Sequence, residues 1–359
     1  MDVDHEFNNF IKVWLSILAS LCYCYFIASK LPKGILRLVS ILPIFFLFSI
    51  SPLYLSTVLP TGVTAFFITW LCSFKLLLFC FDLGPLSASH QQKSFFLFLS
   101  IACFPIKIRQ FKEHPPHQSL QKPLNLEQPA PKLPLNWPTK ALILALFVGL
   151  HDHTKNLHTN IVLGQYCFML YFFLDVVLGT CNTLVRALLG IELQSPSNEP
   201  YLSTSLQDFW GKRWNLMVSS ALRDTVYKPM RTALEPLGSK WAPLPAVLAA
   251  FTVSGLMHEL IYFYMTRAYP TWEVTCYFVL HGACLVVEFG LKKAFRGKLR
   301  LHGAVSGALT LAFVVSTAFW LFFPPLLRNG TDTRAIQECK TFVGFVKEAF
   351  NLSEIMVKS

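Results

Sequence analysis

The sequence predicts an all-α polytopic membrane protein of about eight transmembrane helices with re-entrant or interfacial segments. Three observations predict it. Of 359 residues, 53% are hydrophobic and only 14% are charged, against roughly a quarter charged in soluble domains. Mean hydropathy is +0.47. Apolar runs long enough to cross a hydrocarbon core, about 20 residues at 1.5 Å rise, recur along the chain.

In chain order, Phe10 to Ala28 forms the first span, followed by Lys30, Lys33 and Arg37. Ile35 to Leu55 is the second, with Pro43 and Pro52 inside it, and Thr61 to Phe81 the third. Phe95 to Ile106 is apolar but too short to span, so it reads as re-entrant or interfacial. Residues 107–139 are basic and rich in Pro, Gln and His, the composition of a flexible cytosolic loop. Lys140 to Leu150 opens a weak fourth span that leads to a polar turn holding His151, His153 and His158. Asn160 to Leu178 is the fifth, and Gly179 to Leu193 reads as a separate amphipathic segment. Leu244 to Thr266, Trp272 to Leu291 and Ala304 to Leu327 complete the set before a mostly polar tail. No internal repeat is visible. The chain reads as one integral-membrane domain over 1–359, with its chemistry concentrated in 201–288.

Lys and Arg number 31 against 20 Asp and Glu, a formal charge of +11. In a membrane protein such an excess marks cytosolic loops beside anionic lipid headgroups, not a nucleic-acid partner. The clusters after the first, third and seventh runs then face the cytosol, the last being Lys292, Lys293, Arg296, Lys298 and Arg300. Both termini face the lumen, as do the sequons at Asn329 and Asn351. The ten cysteines fall mostly in or beside apolar runs, where cysteine behaves as a small hydrophobe, and Cys22-Tyr23-Cys24 has no second ligand pair that would make a metal site. No cleavable signal peptide is expected at the acidic start of the chain.

Within the Leu244–Thr266 run stands Ser254-Gly255-Leu256-Met257-His258-Glu259. His258 lies roughly 20 Å from the start of the run, well inside the bilayer. An ionisable residue there costs a few kcal/mol unless it faces a protein-lined or watered cavity. The plainer reading is a buried, hydrogen-bonded histidine. A second stretch precedes it, Phe209-Trp210-Gly211-Lys212-Arg213-Trp214-Asn215. Its plain reading is an aromatic belt, with Trp210 and Trp214 at the interface and Lys212 and Arg213 snorkelling. Its functional reading is phosphate binding by the two cations, an indole stacking on a purine or lying beside a thioester arm, and an Asn215 amide that donates to an oxyanion or orients an imidazole.

The two stretches together resemble the paired signature of the membrane-bound O-acyltransferases, and more closely the plant wax synthase-like branch. That branch includes long-chain-alcohol acyltransferases, sterol acyltransferases and diacylglycerol acetyltransferases. The resemblance extends to Phe10-Ile11-Lys12-Val13-Trp14, Pro32-Lys33-Gly34, Phe74-Lys75-Leu76-Leu77-Leu78 and Pro200-Tyr201-Leu202-Ser203-Thr204-Ser205-Leu206. It implies a membrane-bound O-acyltransferase bundle, acyl transfer from acyl-CoA or acetyl-CoA to a lipid alcohol, His258 as the catalytic histidine and Asn215 as its polar partner. An alcohol needs a base within hydrogen-bond reach, and burial disfavours the imidazolium, so His258 enters as the neutral base. A thioester is already activated, so no metal or other cofactor is required.

Trp210, Lys212, Arg213, Trp214, Glu259 and His281 are the further candidates for binding acyl-CoA or alcohol. Glu259 points about 100° away from His258 on a helix, so it either lines the chamber or pairs with another helix. His281 and Glu288 share a helix face; interhelical hydrogen bonding is the plainer role for His281. Lys75 reads as snorkelled or facing CoA, and Tyr262 and Tyr264 as packing. A zinc protease is excluded because Tyr262 stands where the second histidine of HExxH belongs. A di-iron desaturase needs several histidine boxes, and the chain has one. A transporter with an intramembrane His/Glu pathway is the rival of a different class. The expected partners are acyl-CoA, a hydrophobic alcohol and membrane lipids. The expected location is the endoplasmic reticulum membrane. Within the family an acetyl-CoA:diacylglycerol acetyltransferase is the alternative, toward which, together with the sterol acyltransferases, the amino-terminal resemblance leans.

Overall fold

A spanning segment must satisfy its backbone amides internally, because the bilayer core offers no water, and helices do so. The computed structural model describes residues 3–87, 94–108, 136–154, 156–238, 241–295 and 302–358. Its regular elements are helical throughout, and one isolated bridge joins Ile108 to Leu193. In order they are α1 Val3–Phe26, α2 Ile35–Ile50, α3 Val58–Cys80, α4 Phe95–Cys103, α5 Trp137–Thr154 and α6 Thr159–Leu189. Then follow α7, residues 216–234, α8 Pro243–Thr266, α9 Glu273–Ala294, α10 Gly303–Arg328 and α11 Thr331–Lys358.

Seven of these, α1, α2, α3, α6, α8, α9 and α10, are long and apolar enough to cross a membrane. The weak fourth span is α5, 18 residues long and punctuated by Lys140 and Asp152. The all-α polytopic fold therefore stands. Three stretches gain detail from the structure. The amphipathic segment after Gly179 is no separate element: α6 runs unbroken for 31 residues and stops only where Gly190 turns left-handed at φ 64°, a conformation glycine adopts at no steric cost. The polar tail is a 28-residue helix. Residues 216–234, unassigned from sequence, form α7. The expected flexible loop at 107–139 lies outside the described residues from 109 to 135, as do Arg296, Lys298 and Arg300 of the last basic cluster.

α3 is the hub. A wide π-type turn over Ala65–Cys72 redistributes its faces. Ile68, Cys72 and Leu76 pack with α1, α2 and α4, while Ala65 and Trp70 pack with α8. Its amino-terminal end is held by two carboxylates. Glu6 of α1 accepts from the Ser56 and Thr57 amides at 2.9 Å, and Glu338 of α11 accepts from Val58 and Leu59 at 2.7 and 2.8 Å. Four orphan amides at a helix start are thereby satisfied by negative charge, where the helix dipole favours it.

α8 and α9 are antiparallel and packed close enough for two glycines to be required. A Cβ on Gly255 would lie 2.9 Å from Thr275 Cα, and one on Gly282 would lie 2.9 Å from Phe251 Cβ. Small residues let membrane helices approach in this way. Glu259 confirms the register, accepting from the Thr275 amide in the first turn of α9 at 3.2 Å.

Candidate active site

That register sets His258 against Phe278, the rings stacked at 4.2 Å between centroids. Trp70 of α3 meets the same imidazole edge-on at 5.1 Å. Nδ1 of His258 lies 2.7 Å from the Ser254 carbonyl one turn back. A carbonyl can only accept, so Nδ1 carries a proton, and in the neutral ring Nε2 presents its lone pair. No described residue bonds Nε2.

His258 lines a cavity of about 1570 Å³. One face of α8 borders it from end to end, through Leu244, Val247, Phe251, Ser254, His258, Ile261 and Met265, the three-to-four-residue spacing of a single helical stripe. The wall is mostly apolar. Four cations border it, Arg223, Lys228 and Arg231 of α7 and Lys293 of α9, and the Lys293 ammonium sits over the Trp241 ring, beside the start of α8, at 5.7 Å. Leu244, near that end, is roughly 20 Å along the helix from His258.

Asn215 also borders the cavity. Its backbone is left-handed, φ 34°, which asparagine tolerates better than most residues. Its Oδ1 accepts from the Val218 amide at 3.2 Å and so caps α7. With the oxygen committed, the side-chain NH₂ remains to donate. The turn that carries Asn215 is firmly hung. Leu216 N donates to Pro196 O at 2.8 Å. Ser197 of that same loop donates to Asp175 of α6, which in turn is paired with Lys140 of α5 at 2.5 Å, both buried.

The chain matches the model of the Membrane bound O-acyl transferase family over residues 194–280, the stretch that carries both Asn215 and His258 up to α9. Along nearly its whole length it is similar to a probable long-chain-alcohol O-fatty-acyltransferase 1 of Arabidopsis thaliana, at 45% identity over 96% of this chain and 98% of the relative. It is 43% identical to a long-chain-alcohol O-fatty-acyltransferase of Simmondsia chinensis over 97% and 98%. It is 41% identical to an acyl-CoA–sterol O-acyltransferase 1 of Arabidopsis thaliana over 95% and 96%. The chain belongs to the membrane-bound O-acyltransferase family.

In this acyltransferase the residues singled out from sequence divide into two groups. His258, Asn215, Trp210 and Trp214 share the cavity wall; Lys212, Arg213, Glu259 and His281 do not border it. Arg213 is spent on structure, paired with Asp208 at 2.7 Å and donating to the Asn198 and Glu199 carbonyls. Lys212 is exposed. Glu259 is the capping group of α9 already described, and no bond links it to His258.

His281 is fully buried. Trp210 Nε1 donates to its Nδ1 at 3.1 Å, its Nε2 faces Thr317 Oγ1 at 2.9 Å, and Thr317 donates onward to Phe313 O at 2.7 Å. Glu288 on the same helix accepts from the Leu206 and Gln207 amides. That face of α9 therefore grips the signature segment at two points. Lys75 neither snorkels nor faces the cavity: it is buried, and Nζ donates to the Ile101 and Phe104 carbonyls at 2.6 and 2.7 Å. The dipole end of a short helix gives an ammonium the oxygen partners that lipid cannot.

Sequence reading missed Trp70 and the cationic residues of α7. Their signal was available: Arg223, Tyr227 and Arg231 recur every four residues, one face of a helix. Tyr201, which borders the cavity, donates to Glu199 at 3.2 Å. Burial and that carboxylate push its phenol up to about 12, so it is a donor and not a base at neutral pH. Among the described residues no cluster of three His, Cys, Asp or Glu could hold a metal ion.

Proposed function

We propose that this acyltransferase esterifies a hydrophobic alcohol, of the long-chain or sterol class, with the acyl group of acyl-CoA, in the endoplasmic reticulum membrane. The observation that carries the reading is His258 itself. Its Nδ1 is committed to Ser254 O and its Nε2 has no partner among the described residues, on the wall of a mostly apolar cavity that four cations also border.

In the proposed reaction the acyl-CoA phosphates lie at Arg223, Lys228, Arg231 and Lys293, on the cytosolic face. The roughly 20 Å from there to His258 suits the extended pantetheine arm. The alcohol enters from the bilayer. Nε2 takes the hydroxyl proton as the oxygen attacks the thioester carbonyl, and a tetrahedral oxyanion forms. The Asn215 NH₂ donates to it, a contact worth about 3 kcal/mol when one such donor is removed elsewhere. Collapse breaks the C–S bond, and the imidazolium returns its proton to the departing thiolate, giving ester and free CoA. The mostly apolar wall disfavours water beside the thioester. The relatives' long-chain-alcohol and sterol specificities support this acceptor class.

Purified enzyme supplied with labelled acyl-CoA and a panel of dodecanol, sterol and diacylglycerol should form ester with the first two. His258→Ala should abolish turnover while leaving the protein folded. Ester formation by that variant at the wild-type rate would sink the assignment.

A further inference from the structure

The cavity continues past His258. Toward the far end of α8 its wall is mostly apolar, built from Leu59 and Gly62 of α3, Met265 of α8, and Leu326 and Leu327 of α10, with Thr331 and Asp332 of α11 also on the lining, the carboxylate held by Tyr166 at 3.0 Å. Met265 lies seven positions beyond His258, about 10 Å along the helix axis. At Gly62 this wall has an unusual construction. A Cβ placed there would lie 2.8 Å from Met265 Sδ and 3.5 Å from its Cγ, and would meet no other packing neighbour within 4 Å among the described residues. The thioether rests directly on bare backbone. Methionine is unbranched and deformable, so anything added at Gly62 displaces this one side chain and nothing else.

We propose that Gly62 and Met265 together form the floor that sets acyl-chain length, the thioether seated on the glycine marking how far a chain can extend beyond His258. The inference rests on the acyl-transfer reading above. With the polar head of acyl-CoA at the four cations and its thioester at His258, the chain's free end has this arm of the cavity ahead of it. An alanine at 62 pushes the Met265 side chain off its seat and into the lumen it borders, which shortens the arm. An alanine at 265 removes the floor and deepens it. Because Met265 is the only described neighbour that Cβ meets, the effect of the first change requires the second residue to be present.

The test measures kcat/KM for purified enzyme across acyl-CoAs from acetyl to octadecanoyl with one alcohol, and then across alcohol lengths with one acyl-CoA. The ratio for decanoyl over hexanoyl should fall about tenfold in Gly62→Ala, the scale of discrimination a hydrophobic pocket achieves by size. It should rise in Met265→Ala, and Gly62→Ala/Met265→Ala should follow Met265→Ala. Unchanged acyl profiles in an active enzyme overturn the floor while leaving acyl transfer intact. So does a shift confined to the alcohol series, which places the acceptor in this arm. No ester from the wild type with any acyl-CoA overturns both. Met265→Ala only enlarges an existing cavity, so its upward shift remains decisive should Gly62→Ala fail to fold.

Discussion

Trp210 Nε1 and His281 Nδ1 are joined at 3.1 Å, and the direction of that bond dictates the rest of the chain. Nδ1 accepts, so Nε2 must carry the proton and donate to Thr317 Oγ1, which passes its own hydrogen to Phe313 O. The indole so fixed packs on Phe278 at 5.7 Å, the ring stacked on His258. His281→Leu strands a buried indole N–H and should cost roughly 1–3 kcal/mol together with a fall in kcat, whereas His281→Gln, which can still accept, should lose less. In a Trp210→Phe background the His281→Leu effect should shrink, read as a coupling energy in a double-mutant cycle. Strict additivity would show that the two residues act separately.

In the proposed reaction Asn215 has two tasks for the two ends of one amide, and they can be separated. Asn215→Asp keeps an oxygen for the Val218 amide and tolerates the left-handed backbone, but loses the NH₂. Thermal stability should stay near wild type while kcat drops on the order of 10²–10³. A variant with full turnover would remove Asn215 from the reaction.

The cations bordering the cavity should act on binding alone. Lys228 and Arg231 form exposed pairs with Asp224 and Glu235 that contribute little to stability. Replacing both by Ala should raise KM for acyl-CoA about tenfold at low ionic strength with kcat unchanged, the pattern of lost uniform binding. Raising the salt should narrow the gap between variant and wild type, since exposed charges are screened. A kcat effect with constant KM would place the CoA elsewhere.

The buried Lys140–Asp175 pair should be asymmetric to mutation. Asp175→Leu alone leaves an uncompensated ammonium and should destabilise by about 3–5 kcal/mol, while Lys140→Met/Asp175→Leu should recover much of that loss. Melting temperatures of the three proteins decide it. Equal destabilisation by the single and double variants would mean that Asp175 matters chiefly through Ser197.

Most spans, His258 and Asn215 were legible in the sequence because their signals are local: apolar length, and a polar side chain at membrane depth. What escaped was carried by partners distant along the chain. Nothing near Lys75 announces the Ile101 and Phe104 carbonyls; Arg213 is the exception, since Asp208, which takes it in place of a phosphate, stands only five residues away. Gly179 to Leu193 looked amphipathic because Arg186 and Glu192 interrupt its apolar residues, yet α6 runs on through Leu189 and ends at the left-handed Gly190. α7 was passed over because its short apolar stretches are interrupted by charges, and those charges are what border the cavity.

Glu6 and Glu338 come from the two ends of the described chain and latch onto adjacent residues, Ser56 to Leu59. α3 begins there, and a few turns later it sets Trp70 edge-on against the His258 ring. Tags, truncations or fusions at either extremity therefore reach the cavity wall through one shared anchor, and an expression strategy that disturbs a terminus also perturbs the candidate site.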